Sequence, residues 1–231
     1  MDPQWGCLGD VEWPPLDTPN MEAQLQFFDE DDPTFLLVGA MVKACLRTDY
    51  LCTAPADSAV TDDQGRVTLD LTVAPDSEGW TGYFEIAADG YPINLIPTVR
   101  PYTNDPHIEF GVVGQTRLDG GAFLLTGSPP DPNRGHLAAI VFDCGTYETR
   151  GAALNIDPSS GATLGYLNDD GFPDAALTET NDDGLALAAN VEPGPAVEVS
   201  ATLAATGELI GVTTIPIRAG AITTFGLLPT P

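Results

Sequence analysis

The sequence predicts an all-β protein of two small tandem sandwich domains, and three observations carry that expectation. Apolar residues fall in short runs of strand length, one of them strictly alternating. Glycine and proline are abundant, at 24 and 21 of 231 residues, which favours strands and turns over helix. The second half of the chain also repeats the plan of the first. A chain of this length holds one large domain or two modest ones, and the repeat favours two.

The firmest strand is Arg66-Val67-Thr68-Leu69-Asp70-Leu71-Thr72-Val73. Its alternation places Val67, Leu69, Leu71 and Val73 on one face of a half-buried strand. Ahead of it, Thr61-Asp62-Asp63-Gln64-Gly65 is turn chemistry: Asp side chains bond nearby backbone amides, and glycine is free to take a positive φ. Leu25 to Phe28, Phe35 to Val38, Met41 to Cys45 and Tyr83 to Ala87 read as further strands. Residues 1–21 have neither period and read as an extended arm, with Trp5 and Trp13 laid against a domain. Sandwich domains are expected over residues 22–105 and 135–231. Between them, residues 106–134 read as a linker. There Thr116-Arg117-Leu118-Asp119 starts a short helix reaching about Leu125, and Ser128-Pro129-Pro130-Asp131-Pro132 forms a stiff connector.

The repeat aligns Thr180-Asn181-Asp182-Asp183-Gly184 with Thr61 to Gly65. Downstream, Val197 to Gly207 mirrors Gly82 to Gly90, a strand running into a glycine turn. Duplication of one sandwich unit explains both matches.

The formal charge of -26 comes from 34 acidic against 8 basic residues, of which Lys43 is the only lysine. Such a field repels phosphate backbones and anionic head groups, so nucleic acid is excluded as a partner. It favours solubility in saline surroundings, or attraction of cations or a basic partner. No apolar run reaches the roughly 20 residues of a membrane span. Met1-Asp2-Pro3-Gln4 lacks the basic start and apolar stretch of a signal peptide. Cys45 and Cys52 are spaced to close across a hairpin, which leaves Cys7 and Cys144 as the second pair. Four cysteines permit three connectivities and the sequence does not choose among them. An even count without C-x-x-C favours disulfides over zinc, and with them an extracellular or cell-envelope location, the chain being a mature fragment whose signal or lipoprotein leader is absent.

Ala44-Cys45, the Thr61 to Gly65 turn and Gly82-Tyr83…Gly90-Tyr91 resemble carboxypeptidase regulatory-like domains, as do Arg150-Gly151-Ala152, Thr180…Gly184 and Val191-Glu192-Pro193-Gly194 in the second copy. The whole chain is similar to secreted or lipoprotein-type proteins of myxobacteria, with counterparts of Trp5-Gly6-Cys7-Leu8-Gly9 and Arg218-Ala219-Gly220-Ala221-Ile222-Thr223. The resemblance implies two tandem transthyretin-like/immunoglobulin-like β-sandwich domains with a short linker helix, and a non-catalytic envelope module. The first copy departs from the pattern at Ala74-Pro75-Asp76, where a Pro-Gly step is expected.

No catalytic residue is assigned. His107 and His136 stand in no ligand spacing, which also argues against the iron site of two tyrosines and two histidines that some transthyretin-like sandwiches carry. No G-x-S-x-G occurs, and among 34 acids close carboxylate pairs arise by chance. Calcium is the one cofactor considered, with Asp169, Asp170 and Asp174 as candidate metal ligands in a carboxylate-dense loop. The register Glu179-x-Asn181-x-Asp183-Gly184 lacks the bidentate twelfth glutamate, since Asn190 falls there. The expected function is therefore non-enzymatic: adhesion, assembly or ligand presentation to a protein or glycan partner through loops at one sandwich end. Trp80, Tyr91 and Tyr102 are the candidates for stacking on sugar rings in a carbohydrate-binding module, set against core packing, the preferred reading of the same rings. Self-association through edge strands into a filament or surface assembly is the third expectation.

Overall fold

In a computed structural model, which describes residues 3–74, 77–145 and 147–230, the alternating segment is strand β4 (Arg66–Thr72), with every second residue buried. It pairs antiparallel with β1 (Asn20–Asp29), which pairs in parallel with β7 (His107–Val112). Facing them are β2 (Met41–Leu46), β3 (Asp57–Val60), β5 (Gly82–Ala87) and β6 (Ile93–Pro97) in the order β6-β5-β2-β3. Leu25, Phe27, Leu69 and Leu71 from one sheet meet Val42, Ala44, Phe84 and Ile86 from the other in one core. These elements lie in one of two compact units, Pro14–Leu118, here the first sandwich.

The second sandwich comprises Met1–Trp13 and Asp119–Pro231. Its strand β8 (Gly135–Val141) pairs antiparallel with β12 (Leu185–Val191) and parallel with β15 (Ala221–Leu227), as β1 does with β4 and β7. Strands β10 (Thr163–Leu167) and the two-residue β11 (Pro173–Asp174) extend that sheet beyond β12. The other sheet runs β14 (Leu209–Ile217), β13 (Gly194–Leu203), β9 (Ala152–Asp157). Strand β13 thus occupies the place of β5, as the repeat of Val197 to Gly207 on Gly82 to Gly90 expects. The protein is all-β in two sandwiches, with one α-helix among the described residues, α1 (Gln115–Thr126). Its Ala122 and Leu125 pack on Ala189 and Leu187. Gly127 and the prolines at 129 and 130 follow its last turn.

Three local expectations need correction. Phe35 to Val38 is not a strand: only Leu36 bridges to Phe28, because the segment carries the chain from one sheet to the other and turns Leu37 alone into the core. Within the stretch expected as linker, His107–Val112 is strand β7, and its parallel partner lies some eighty positions earlier in sequence, beyond the reach of local pattern. The arm is not uniformly extended: Pro3–Trp5 is a 3-10 turn and Trp5 is buried, while Trp13 is half-buried. Of the anomalous step after β4, Pro75 and Asp76 lie outside the described residues, as do Met1 and Asp2.

The outer edges β3 and β4 of the first sandwich are closed by one side chain. The Asp57 carboxylate accepts the Ser58 amide at 2.7 Å and the Asp70 amide at 2.8 Å, tying β3 to β4 and shielding edge donors from a further strand. Asp57→Ala is expected to lower the unfolding free energy by about 1–2 kcal/mol and to raise concentration-dependent association, both readable by denaturation and sedimentation; an unchanged variant would remove the clasp from the account.

Candidate functional site

Each sandwich carries the same corner, where the chain crosses between sheets beside the Thr…Gly turn. In the first, the Thr61 hydroxyl donates to the Leu37 carbonyl and accepts the Ala40 amide, Thr61 N–H donates to Ala40, Gly39 N–H to Thr61, and Phe27 N–H to Gly65. In the second, the Thr180 hydroxyl donates to the Thr149 carbonyl and accepts the Ala152 amide, Thr180 N–H donates to Ala152, Gly151 N–H to Thr180, and Val141 N–H to Gly184. The correspondence is one bond for one bond. Gly65 and Gly184 are required by both conformation and space: φ is +66° and +64°, and a Cβ would stand 2.6 Å from the Phe27 carbonyl oxygen or 2.7 Å from that of Val141.

The shared bonds set Leu37 on Thr149 and Gly39 on Gly151, so Val38 occupies the place of Arg150. They likewise set Asp62 on Asn181, so Asp63 occupies the place of Asp182. In the second sandwich these two positions are joined: Arg150 Nε and a terminal guanidinium nitrogen bond both oxygens of Asp182, a bidentate clamp. Hydrogen bonding to Asp182 holds Arg150 above its ordinary range, and Arg150 holds Asp182 below the carboxylate range. In the first sandwich no ion pair to Asp63 is present among the described residues, and Val38 is 61% exposed.

Beside Val38 opens a groove of about 540 Å³ lined by Phe35, Val38, Met41, Ala87, Ala88, Asp89 and Tyr91. Phe35 is 57% exposed, and Met41 and Val60, partners across β2 and β3, continue the apolar surface. The rim is acidic. The Tyr91 hydroxyl donates to Asp29 at 2.5 Å, a bond that holds Asp29 below its ordinary range; burial, then the bond to Asp29, push Tyr91 up to about 12. Asp89, in the groove wall, is exposed. An exposed apolar pocket under a negative rim suits a ligand that is apolar and cationic together. The residues of this groove, apart from Tyr91, were not singled out from sequence; Phe35 and Val38 read as strand interior, and only the alignment of the two turns pointed toward the corner.

The other sequence candidates are dispersed. Trp80 is buried, in a cluster of three rings with Phe84 and Tyr102 at 5.3 and 6.1 Å, so as a sugar platform it is corrected to a core residue: the bridge from Trp80 to Tyr102 turns both rings inward. Tyr91 serves the groove instead. Asp169, Asp170 and Asp174 are not gathered: Asn168 accepts the Asp170 and Phe172 amides, and Asp174 accepts that of Ala176, which makes the loop a self-capped turn. Among the described residues, the one group of three possible ligand atoms within 4.8 Å is Cys45, Cys52 and Glu85. There both sulfurs are bonded to each other, and Glu85 pairs with Lys43 at 2.7 Å. The second disulfide joins Cys7 to Cys144. His136 is buried on β8, and His107 is exposed on β7.

No family model matches the chain, and no curated protein matches it. Among solved structures, the Bacillus anthracis TIE protein aligns at 14% identity over 91% of this chain and 34% of that chain, with a TM-score of 0.28. The shaft pilin SpaA from Lactobacillus rhamnosus GG aligns at 11% identity over 93% and 99%, TM-score 0.26. A streptococcal ancillary pilin aligns at 15% over 93% and 64%, TM-score 0.24. The chain spans about a third of the length of the TIE protein. Similarity at these scores decides neither fold nor function.

Proposed function

We propose that this chain is an extracellular or cell-envelope protein without catalysis of its own, serving adhesion, assembly or ligand presentation through the groove of its first sandwich. The observation that carries the reading is the groove itself: large apolar side chains at Phe35 and Val38 stand in solvent on a protein of charge -26, where burial in a partner is their most favourable fate. Two disulfides with no free cysteine accord with an oxidising compartment. The one-for-one repetition of the Thr…Gly corner supports taking both halves as carboxypeptidase regulatory-like, transthyretin-like domains, with the expected bounds 22–105 of the first widened to take in all of β1 and β7 and the second over residues 135–231. Growth into a filament draws less support, since the Asp57 clasp occupies edge amides of the first sandwich.

Placing a photo-crosslinking amino acid at position 38, with position 212 on the second sandwich as the matched exposed control, tests this reading in an extracellular extract of the source cells. A discrete adduct from position 38 and none from 212 is expected. No adduct, or the same adducts from both positions, would end the groove as the contact surface.

A further inference from the structure

We infer that the groove of the first sandwich takes an extended peptide in which an arginine lies beside an apolar residue, the guanidinium seated on Asp63 and the apolar side chain between Phe35, Val38 and Met41. This rests on the proposed function above and names the chemistry of its partner.

The duplicated corner is the ground for it. Bond for bond, the two corners share one backbone, and they differ in how the acid of the turn is treated. The second sandwich carries its own guanidinium: Arg150 holds both oxygens of Asp182 and closes that corner. The first keeps the acid, Asp63, but puts Val38 where the arginine would be. Asp63 is exposed, and no ion pair to it is present among the described residues. The geometry that receives a guanidinium is thus built in both corners and filled from within in only one.

What replaces the arginine points the same way. Val38 is a wall of the groove, together with Phe35 and Met41, so the site offered to solvent is an acid next to an apolar trough. An arginine followed by a leucine-like residue matches both features, and Asp89 at the far wall extends the match to a second basic residue. Lysine fits less well, because a point charge cannot engage both carboxylate oxygens as the planar guanidinium does. Nucleic acid, anionic lipid head groups and other acidic ligands are repelled by the same negative charge.

The test uses the intact, oxidised chain and a fluorescein-labelled peptide of alternating arginine and leucine, followed by polarisation; lysine–leucine and arginine–serine peptides are the comparators. Saturable binding of the arginine–leucine peptide is expected, weaker by roughly three- to tenfold with either comparator. Asp63→Asn should weaken it by a similar factor. Val38→Arg should weaken it by about tenfold or more, because the variant carries its own guanidinium to the corner and closes the trough. Asp182→Asn, at the matching place in the second sandwich, should leave binding within about twofold. The inference fails if no peptide binds, if Val38→Arg binds as wild type, or if Asp63→Asn and Asp182→Asn act alike, since binding would then follow net charge alone. A crosslink from position 38 without peptide binding would overturn this inference and leave the groove as a contact surface of other chemistry.

Discussion

Replacing Cys7 and Cys144 together by serine is expected to lower the unfolding free energy by about 5 kcal/mol, the largest effect of any change at the cysteines. The bond closes a loop of 137 positions, and the entropy removed from the unfolded chain grows with the logarithm of that span. The Cys45–Cys52 bond closes 7 positions and should contribute about 2 kcal/mol on the same reasoning. The larger effect belongs to the second sandwich, because the bond holds the N-terminal arm there: the Cys144 amide donates to the Gln4 carbonyl at 3.2 Å, the Gln4 side chain reaches the Thr149 hydroxyl, and Trp5 is buried. Tryptophan fluorescence during guanidinium unfolding, followed in variants that keep Trp5 alone or Trp80 alone, separates the two halves, since Trp5 and Trp13 lie in the second sandwich and Trp80 in the first. The Trp5 transition should move to lower denaturant while that of Trp80 stays. Equal movement of both, or of neither, would contradict this assignment of the arm.

Trp80→Ala is the second large effect, at about 4 kcal/mol, within the range for deleting a buried aromatic side chain. The ring is 1% exposed and flanked by Phe84 and Tyr102. Gly82 is pressed so close that a Cβ there would stand 2.7 Å from the indole, which leaves little room for collapse into the cavity. Trp80→Phe should cost less by about 2 kcal/mol. It keeps most of the apolar contact, and the indole N–H that it removes has no acceptor among the described residues. Thermal unfolding of the two variants tests the order. If alanine and phenylalanine cost the same, or alanine costs nothing, the ring is not the core element described. Because the alanine variant is compromised in folding, loss of any binding activity in it says nothing about a sugar platform.

Legibility divided along the reach of each signal. The alternation in Arg66 to Val73 was readable because burial on one face is a local, period-two property. The matched turns at Thr61 and Thr180 were readable because their glycines answer a local steric demand, and they proved to mark one corner built twice. Helix α1 was readable in place and nearly in length despite Gly120 and Gly121, both with open space at the Cβ position. Strand β7 was not, since its identity depends on pairing with a strand far away in sequence. The site was least legible. Phe35 and Val38 have the composition of a strand, and exposing them is a consequence of the crossing between sheets. For Trp80 the sequence leaves two readings, a loop aromatic next to Gly79 and Thr81 or a core ring, and its backbone bridge to Tyr102 carries it inside.

The first sandwich leaves open the corner that the second closes with Arg150 and Asp182. Backbone amide chemical shifts recorded while the arginine–leucine peptide is added to the isotope-labelled full chain test it most directly. Changes confined to residues 35–41, the turn at 61–65 and residues 87–91 are expected, with the corresponding corner around Arg150 and Asp182 unmoved. Changes spread over both corners, or centred on the second, would contradict it.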